Sequence, residues 1–147
     1  MHFEDRFEVD APVGDVWKFV TNPNDFAKVI PDLQKQVVVD DRRFSVDFRV
    51  GLGLIKGTMK MNFEFEEVKP ESYVKLVGDG SGLQSAVNLI ITLNLAPKDG
   101  RTSISWSADV TVTGTIMSMR SRFIEPTTKT KVVDIVRGIN GAMRKAG

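Results

Sequence analysis

The chain contains no cysteine, one histidine and one tyrosine. Without thiols there are no disulfides, no thiolate nucleophiles and no thiolate metal sites, and redox chemistry says nothing about compartment. The single histidine, His2, lies at a chain end expected to fray, so neither a Ser-His-Asp triad nor a histidine metal cluster has a fixed imidazole to use. No apolar run approaches the roughly 20 residues that a membrane-spanning helix needs. The opening residues, Met1-His2-Phe3-Glu4-Asp5-Arg6, lack the basic start and apolar run of a secretory signal. A soluble, cytoplasmic protein is expected, forming one domain over residues 1–147 with a core of its own.

Net charge is near zero, but it is unevenly spread. From Ile116 onward seven basic residues (Arg120, Arg122, Lys129, Lys131, Arg137, Arg144, Lys145) face two acids (Glu125, Asp134), a local balance of +5 against −4 for the rest. Such a segment suits an anionic lipid surface or an acidic protein surface, or is simply a solvated helix face. Nucleic-acid binding would want aromatics interleaved with the charge, and only Phe123 is there, so no nucleic acid is expected.

Most of the chain alternates with period two. Phe3, Phe7 and Val9 share a phase in a first strand; Pro12 then opens a short helix with Val13, Val16, Trp17 and Val20 on one face. Asn22-Pro23-Asn24-Asp25 reads as the cap and start of a second short helix carrying Phe26, Val29 and Ile30. Strands follow at Gln36–Asp40, at Phe44–Val50 and, after the loop Gly51-Leu52-Gly53-Leu54-Ile55-Lys56-Gly57, at Met59–Glu66. Tyr73–Val77 is read as a strand that runs out in Gly78-Asp79-Gly80-Ser81-Gly82, and two more strands carry Val87 to Leu95 and Ile104 to Val112. The last segment alone has helical spacing, with Val132, Ile135, Val136, Ile139 and Met143 on one face. One polar and one apolar face per strand, plus one long helix needing cover, give an α+β helix-grip fold: a curved antiparallel sheet of about seven strands, two short helices after the first strand and a long C-terminal helix. Proline at 126 should kink that helix or restart it near Glu125.

Several stretches together resemble the carbon monoxide dehydrogenase CoxG-like family of the START-like, or SRPBCC, superfamily. They are Ala11-Pro12 with Val16-Trp17, Ile30-Pro31, Val50 to Thr58, Gly78 to Gly82, Pro97 to Thr102 and Ala108 to Gly114. Asp32 stands where the family tends to have glycine, and Arg120 where it has a small residue. The resemblance implies a hydrophobic cavity, association with molybdenum hydroxylases of the carbon monoxide dehydrogenase type, and a role in attaching them to the membrane or handling a lipophilic molecule there. No cofactor is implied.

The residues nominated for the cavity are Phe44, Phe48, Met59, Met61, Phe63, Leu89, Ile91 and Trp106 on inward strand phases, with Met119 and Phe123 on a lid formed by the first half of the terminal helix. The glycines at 51, 53 and 57 do not make a phosphate loop, because strand follows strand there with no helix N-terminus to hold an anion. Gly51 to Gly57 reads instead as a wide hairpin with positive φ angles, its tip apolar at Leu52, Leu54 and Ile55, fit to gate the cavity or touch a membrane beside Lys56. Asp5 shares the phase of Phe3 and Phe7; if buried it needs a partner such as Arg49 or Arg101 and becomes the polar contact inside the cavity. Arg120, Arg122, Lys129, Lys131 and Arg137 make the basic surface.

The expected function is therefore non-enzymatic: binding of a lipid or quinone-like molecule beside a redox enzyme, at the inner face of the membrane. Two alternatives stay open, a protein-docking module with a filled core and a cyclase- or dehydratase-type enzyme, for which Asp5 is the one group available.

Overall fold

The computed structural model describes residues 1–52, 55–118 and 121–146. Strand β1 (His2–Val9) leads into α1 (Val13–Val20) and α2 (Pro23–Lys28), followed by β2 (Leu33–Val38), β3 (Arg43–Leu52), β4 (Ile55–Lys69), β5 (Tyr73–Gly82), β6 (Ser85–Lys98) and β7 (Arg101–Gly114). The chain ends in a single helical turn, α3 (Thr115–Ser118), and the long α4 (Ser121–Ala146). The seven strands form one antiparallel sheet in the order β1-β7-β6-β5-β4-β3-β2, so β1 and β2 are its edges. α1 and α2 connect those two edges along the chain, and α4 lies in the concave side with Ile139 and Met143 buried.

The local reasons are readable. Asn22 caps α2 by accepting a bond from the Asp25 amide at 3.1 Å, and Pro23 occupies the first helical position, where its missing N–H costs nothing. Along β4, Met59, Met61, Phe63 and Phe65 are buried while Lys60, Asn62, Glu64 and Glu66 are exposed, the alternation a sheet with one covered face requires. The core beneath α1 and α2 is aromatic. Phe44 stacks on Phe63 with ring centroids 5.1 Å apart, and Phe26 meets Phe65 edge-on at 6.3 Å.

Four readings change. β5 does not run out at Val77 but continues to Gly82, paired with both neighbours. Gly78, Gly80 and Gly82 lie on its inner face because bulky partners cross them: Gly78 is opposite Phe63 and Gly80 opposite Met61, and a Cβ on Gly78 would come within 2.7 Å of the Phe63 ring. β2 starts at Leu33 rather than Gln36 and ends at Val38. His2 is not frayed. It pairs with Asp109 across β1 and β7, and its Nδ1 lies 2.6 Å from the Asp109 carboxylate, which together with Glu4 raises its pKa. The restart expected near Glu125 is absent too, since α4 already begins at Ser121 and continues through Pro126, whose carbonyl accepts the Thr130 hydroxyl at 3.0 Å.

Candidate functional site

Between α4 and the sheet lies a cavity of about 180 Å³. Its floor is β4, β6 and β7, through Met59, Met61, Phe63, Val87, Leu89, Ile91, Ala108, Val110 and Val112. One wall is Phe48 and Val50 of β3 with Ile30 and Pro31, and the roof is Val132 and Ile135 of α4. Ile116 closes one end. It is held there because the α3 amides are satisfied by the preceding hairpin: the Thr115 amide donates to the Gln84 carbonyl at 3.1 Å and the Ile116 amide to Ser85 Oγ at 2.8 Å. The only polar side chains on the described lining, Thr127, Thr128 and Lys131, all come from α4.

Six of the nominated residues, Phe48, Met59, Met61, Phe63, Leu89 and Ile91, are on this lining. Phe44 is not, because it lies behind Phe63 in the aromatic stack and is 1% exposed. Trp106 instead borders a separate void of about 40 Å³ beneath α4, shared with Phe7, Phe26 and Ile139. Met119, Arg120, Gly53 and Leu54 lie outside the described residues, as do the side chains of Leu52, Ile55, Arg122 and Phe123. Ile116, from the segment expected to form the lid, does reach the cavity.

Asp5 is a correction. Its phase is inward, opposite Trp106, but β1 is an edge strand and nothing covers the carboxylate, which is exposed and accepts the Arg6 amide at 2.7 Å. The suggested partner Arg101 is engaged elsewhere, with Glu8 and Asp10. The hairpin is corrected as well. β3 and β4 pair as far as Leu52 and Ile55, so Gly51 and Gly57 belong to strands, and neither has a positive φ. Gly57 is needed for space, since a Cβ there would strike the Leu83 side chain.

Lys131 differs most from expectation. Nominated for a basic surface along with Lys129 and Arg137, it is turned inward, its side chain 20% exposed and its ammonium 5.5 Å from the centre of the Phe48 ring. It donates to Asp32 Oδ2 at 2.7 Å and to the Arg49 carbonyl at 2.8 Å. Asp32 has φ 58°, the left-handed conformation that glycine adopts freely and aspartate tolerates, which accounts for glycine in relatives. The neighbouring ammonium lowers the Asp32 pKa. Sequence reasoning missed this pair because Asp32 and Lys131 are 99 residues apart and each reads alone as a solvated charge. Lys129 and Arg137 are exposed, as expected of a basic face.

Beyond Asp32 the edge of β3 is no longer covered by β2, and a second, polar hollow of about 470 Å³ opens there between β3 and α4. It is bordered by Arg49, Gly51, Lys56, Pro126, Thr130 and Asp134, and shares Val50, Thr127 and Lys131 with the apolar cavity. The two spaces thus meet at Lys131. Among the described residues no group of three or more His, Asp or Glu could hold a metal ion, and no helix is long and apolar enough to cross a membrane.

A curled seven-stranded antiparallel sheet gripping a C-terminal helix is the helix-grip arrangement of START-like proteins. More narrowly, the chain belongs to the carbon monoxide dehydrogenase CoxG family, which it matches over residues 6–144. No curated protein matches it. Among solved structures, a conserved protein from Geobacillus kaustophilus superposes with a TM-score of 0.89 at 21% identity, over 99% of this chain and 97% of the other. A START superfamily protein from Mycobacterium smegmatis gives 0.77 at 9% identity, covering 99% of each chain. The Zhui aromatase/cyclase from Streptomyces sp. R1128 gives 0.72 at 13% identity, over 99% of this chain and 94% of the other. At these identities the likeness is one of fold.

Proposed function

We propose that the protein binds a hydrophobic small molecule of the lipid or quinone kind in the cavity under α4, without transforming it, and serves a carbon monoxide dehydrogenase-type molybdenum hydroxylase at a membrane surface. The observation that carries the reading is the cavity itself. At about 24 cal/mol per Å³, leaving 180 Å³ unfilled forgoes about 4 kcal/mol, a large share of a domain's net stability. A filled core would have recovered that energy, so the space has a use, and this weighs against a pure docking module. Burying about 300 Å² of ligand and cavity surface yields roughly 7 kcal/mol at about 25 cal/mol/Å² before association costs, enough for micromolar affinity with no specific polar contact. The link to the enzyme is supported by the family's name, and the membrane contact by the exposed cations Lys129 and Arg137.

An enzymatic reading has the aromatase/cyclase likeness in its favour. The described lining offers it only Lys131, already paired, and two threonines, with Asp5 outside. Calorimetric titration with a short-chain quinone and with octanol tests the proposal: saturable one-to-one binding is expected, and no heat with either would overturn it.

A further inference from the structure

The apolar cavity and the polar hollow meet at one side chain, and their contrast says what an occupant looks like. The cavity, at about 180 Å³, is little larger than the cavity of about 150 Å³ known to take up benzene, so it houses a single ring or a short chain. Anything more must emerge past Lys131 into the hollow.

What it meets there is positive. Arg49, Lys56 and Lys131 border the hollow against Asp32 and Asp134, a surplus of one positive charge. Asp32 is committed to Lys131, whereas Arg49 and Lys56 form no ion pair with any described residue. Both are carried on neighbouring paired strands, Arg49 opposite Thr58 and Lys56 opposite Gly51, so they stand on the same face of the β3–β4 ladder. Of the three N–H groups of the Lys131 ammonium, two are used by Asp32 and the Arg49 carbonyl, which leaves one donor at the junction.

Building on the ligand-binding reading above, we propose that the preferred ligand is an acidic amphiphile: a ring or short chain in the apolar cavity, and a carboxylate in the hollow beside Lys131, Arg49 and Lys56. The carboxylate gains charge-assisted bonds there, and a neutral lipophile of the same shape does not. An amine places like charge beside three cations. Specificity for acids thus comes from the rim, while affinity comes from the apolar cavity.

Titration of the intact protein with octanoate, octanol and octylamine tests this. Octanoate is expected to bind at least 10-fold more tightly than octanol, and octylamine more weakly than either. The acid preference should shrink in 0.5 M salt, and the exposed-residue variants Arg49→Gln and Lys56→Gln should erode it with octanol affinity unchanged. Lys131→Gln should remove most of it. Equal binding of acid and alcohol overturns the inference and leaves the cavity reading standing; binding of none of the three overturns both.

Discussion

The Lys131 ammonium lies 2.7 Å from Asp32 Oδ2 and 2.8 Å from the Arg49 carbonyl, so one side chain ties α4 both to the loop before β2 and to β3, at the mouth of the cavity. Asp32 is 65% exposed, which limits the pair's worth to about 0.5 kcal/mol by solvent screening. Its pKa is lowered in the folded state by the ammonium. The stabilisation is therefore complete above the ordinary carboxylate range and is lost as pH falls through the depressed folded value. Denaturant melts of wild type and Asp32→Asn should differ by about 0.5 kcal/mol near neutrality and coincide in strong acid; a gap that persists there contradicts the assignment. Asp32→Gly should match Asp32→Asn, and Asp32→Val should cost about 1–2 kcal/mol more because a β-branched residue resists φ 58°.

The glycines of β5 make a second prediction. Gly80→Ala sets a Cβ against the Lys60 carbonyl and 3.1 Å from the Met61 Cα, backbone that cannot step aside, whereas Gly78→Ala meets only the Phe63 ring and the Met61 side chain. Urea titrations should show both destabilised, by about 1–3 kcal/mol, with Gly80→Ala the worse. Phe63→Leu should recover part of the cost of Gly78→Ala and none of that of Gly80→Ala.

These glycines show where sequence reading stops. Period-two alternation located the strands and the helical stripe located the face of α4, because both patterns are local consequences of burial on one side. Gly78 to Gly82 read as a loop because glycine is depleted in strands; the reason it is tolerated, a methionine or phenylalanine crossing from β4, is a cross-strand fact. Six cavity residues were legible from their phase, but phase cannot separate Phe63, on the lining, from Phe44 behind it. Asp5 failed for the complementary reason. Its phase was right, but only topology reveals that β1 is an edge.

Filling the cavity should separate stability from uptake. Val87 is half-buried on the floor, and Val87→Phe sets a ring into space that is otherwise unoccupied. The melting temperature should hold or rise, because cavity surface is replaced by contact, while the affinity for octanol falls at least 10-fold. A variant that melts far lower would show that the space is not there.

The exposed cations of α4 carry the membrane part of the account. At about 1 kcal/mol for each Lys or Arg near an anionic surface, replacing Lys129 and Arg137 with glutamine should weaken sedimentation with phosphatidylglycerol vesicles roughly 30-fold and leave neutral vesicles unaffected. Unchanged sedimentation would remove these two residues from any membrane contact.

The central claim is that the space under α4 is a ligand site, and native mass spectrometry of the protein purified from its own source tests it most directly. The account predicts a bound species of lipophilic, acidic character that is absent from Val87→Phe prepared in the same way. Wild-type protein recovered free of any small molecule, and refusing every lipophile offered afterwards, would contradict it.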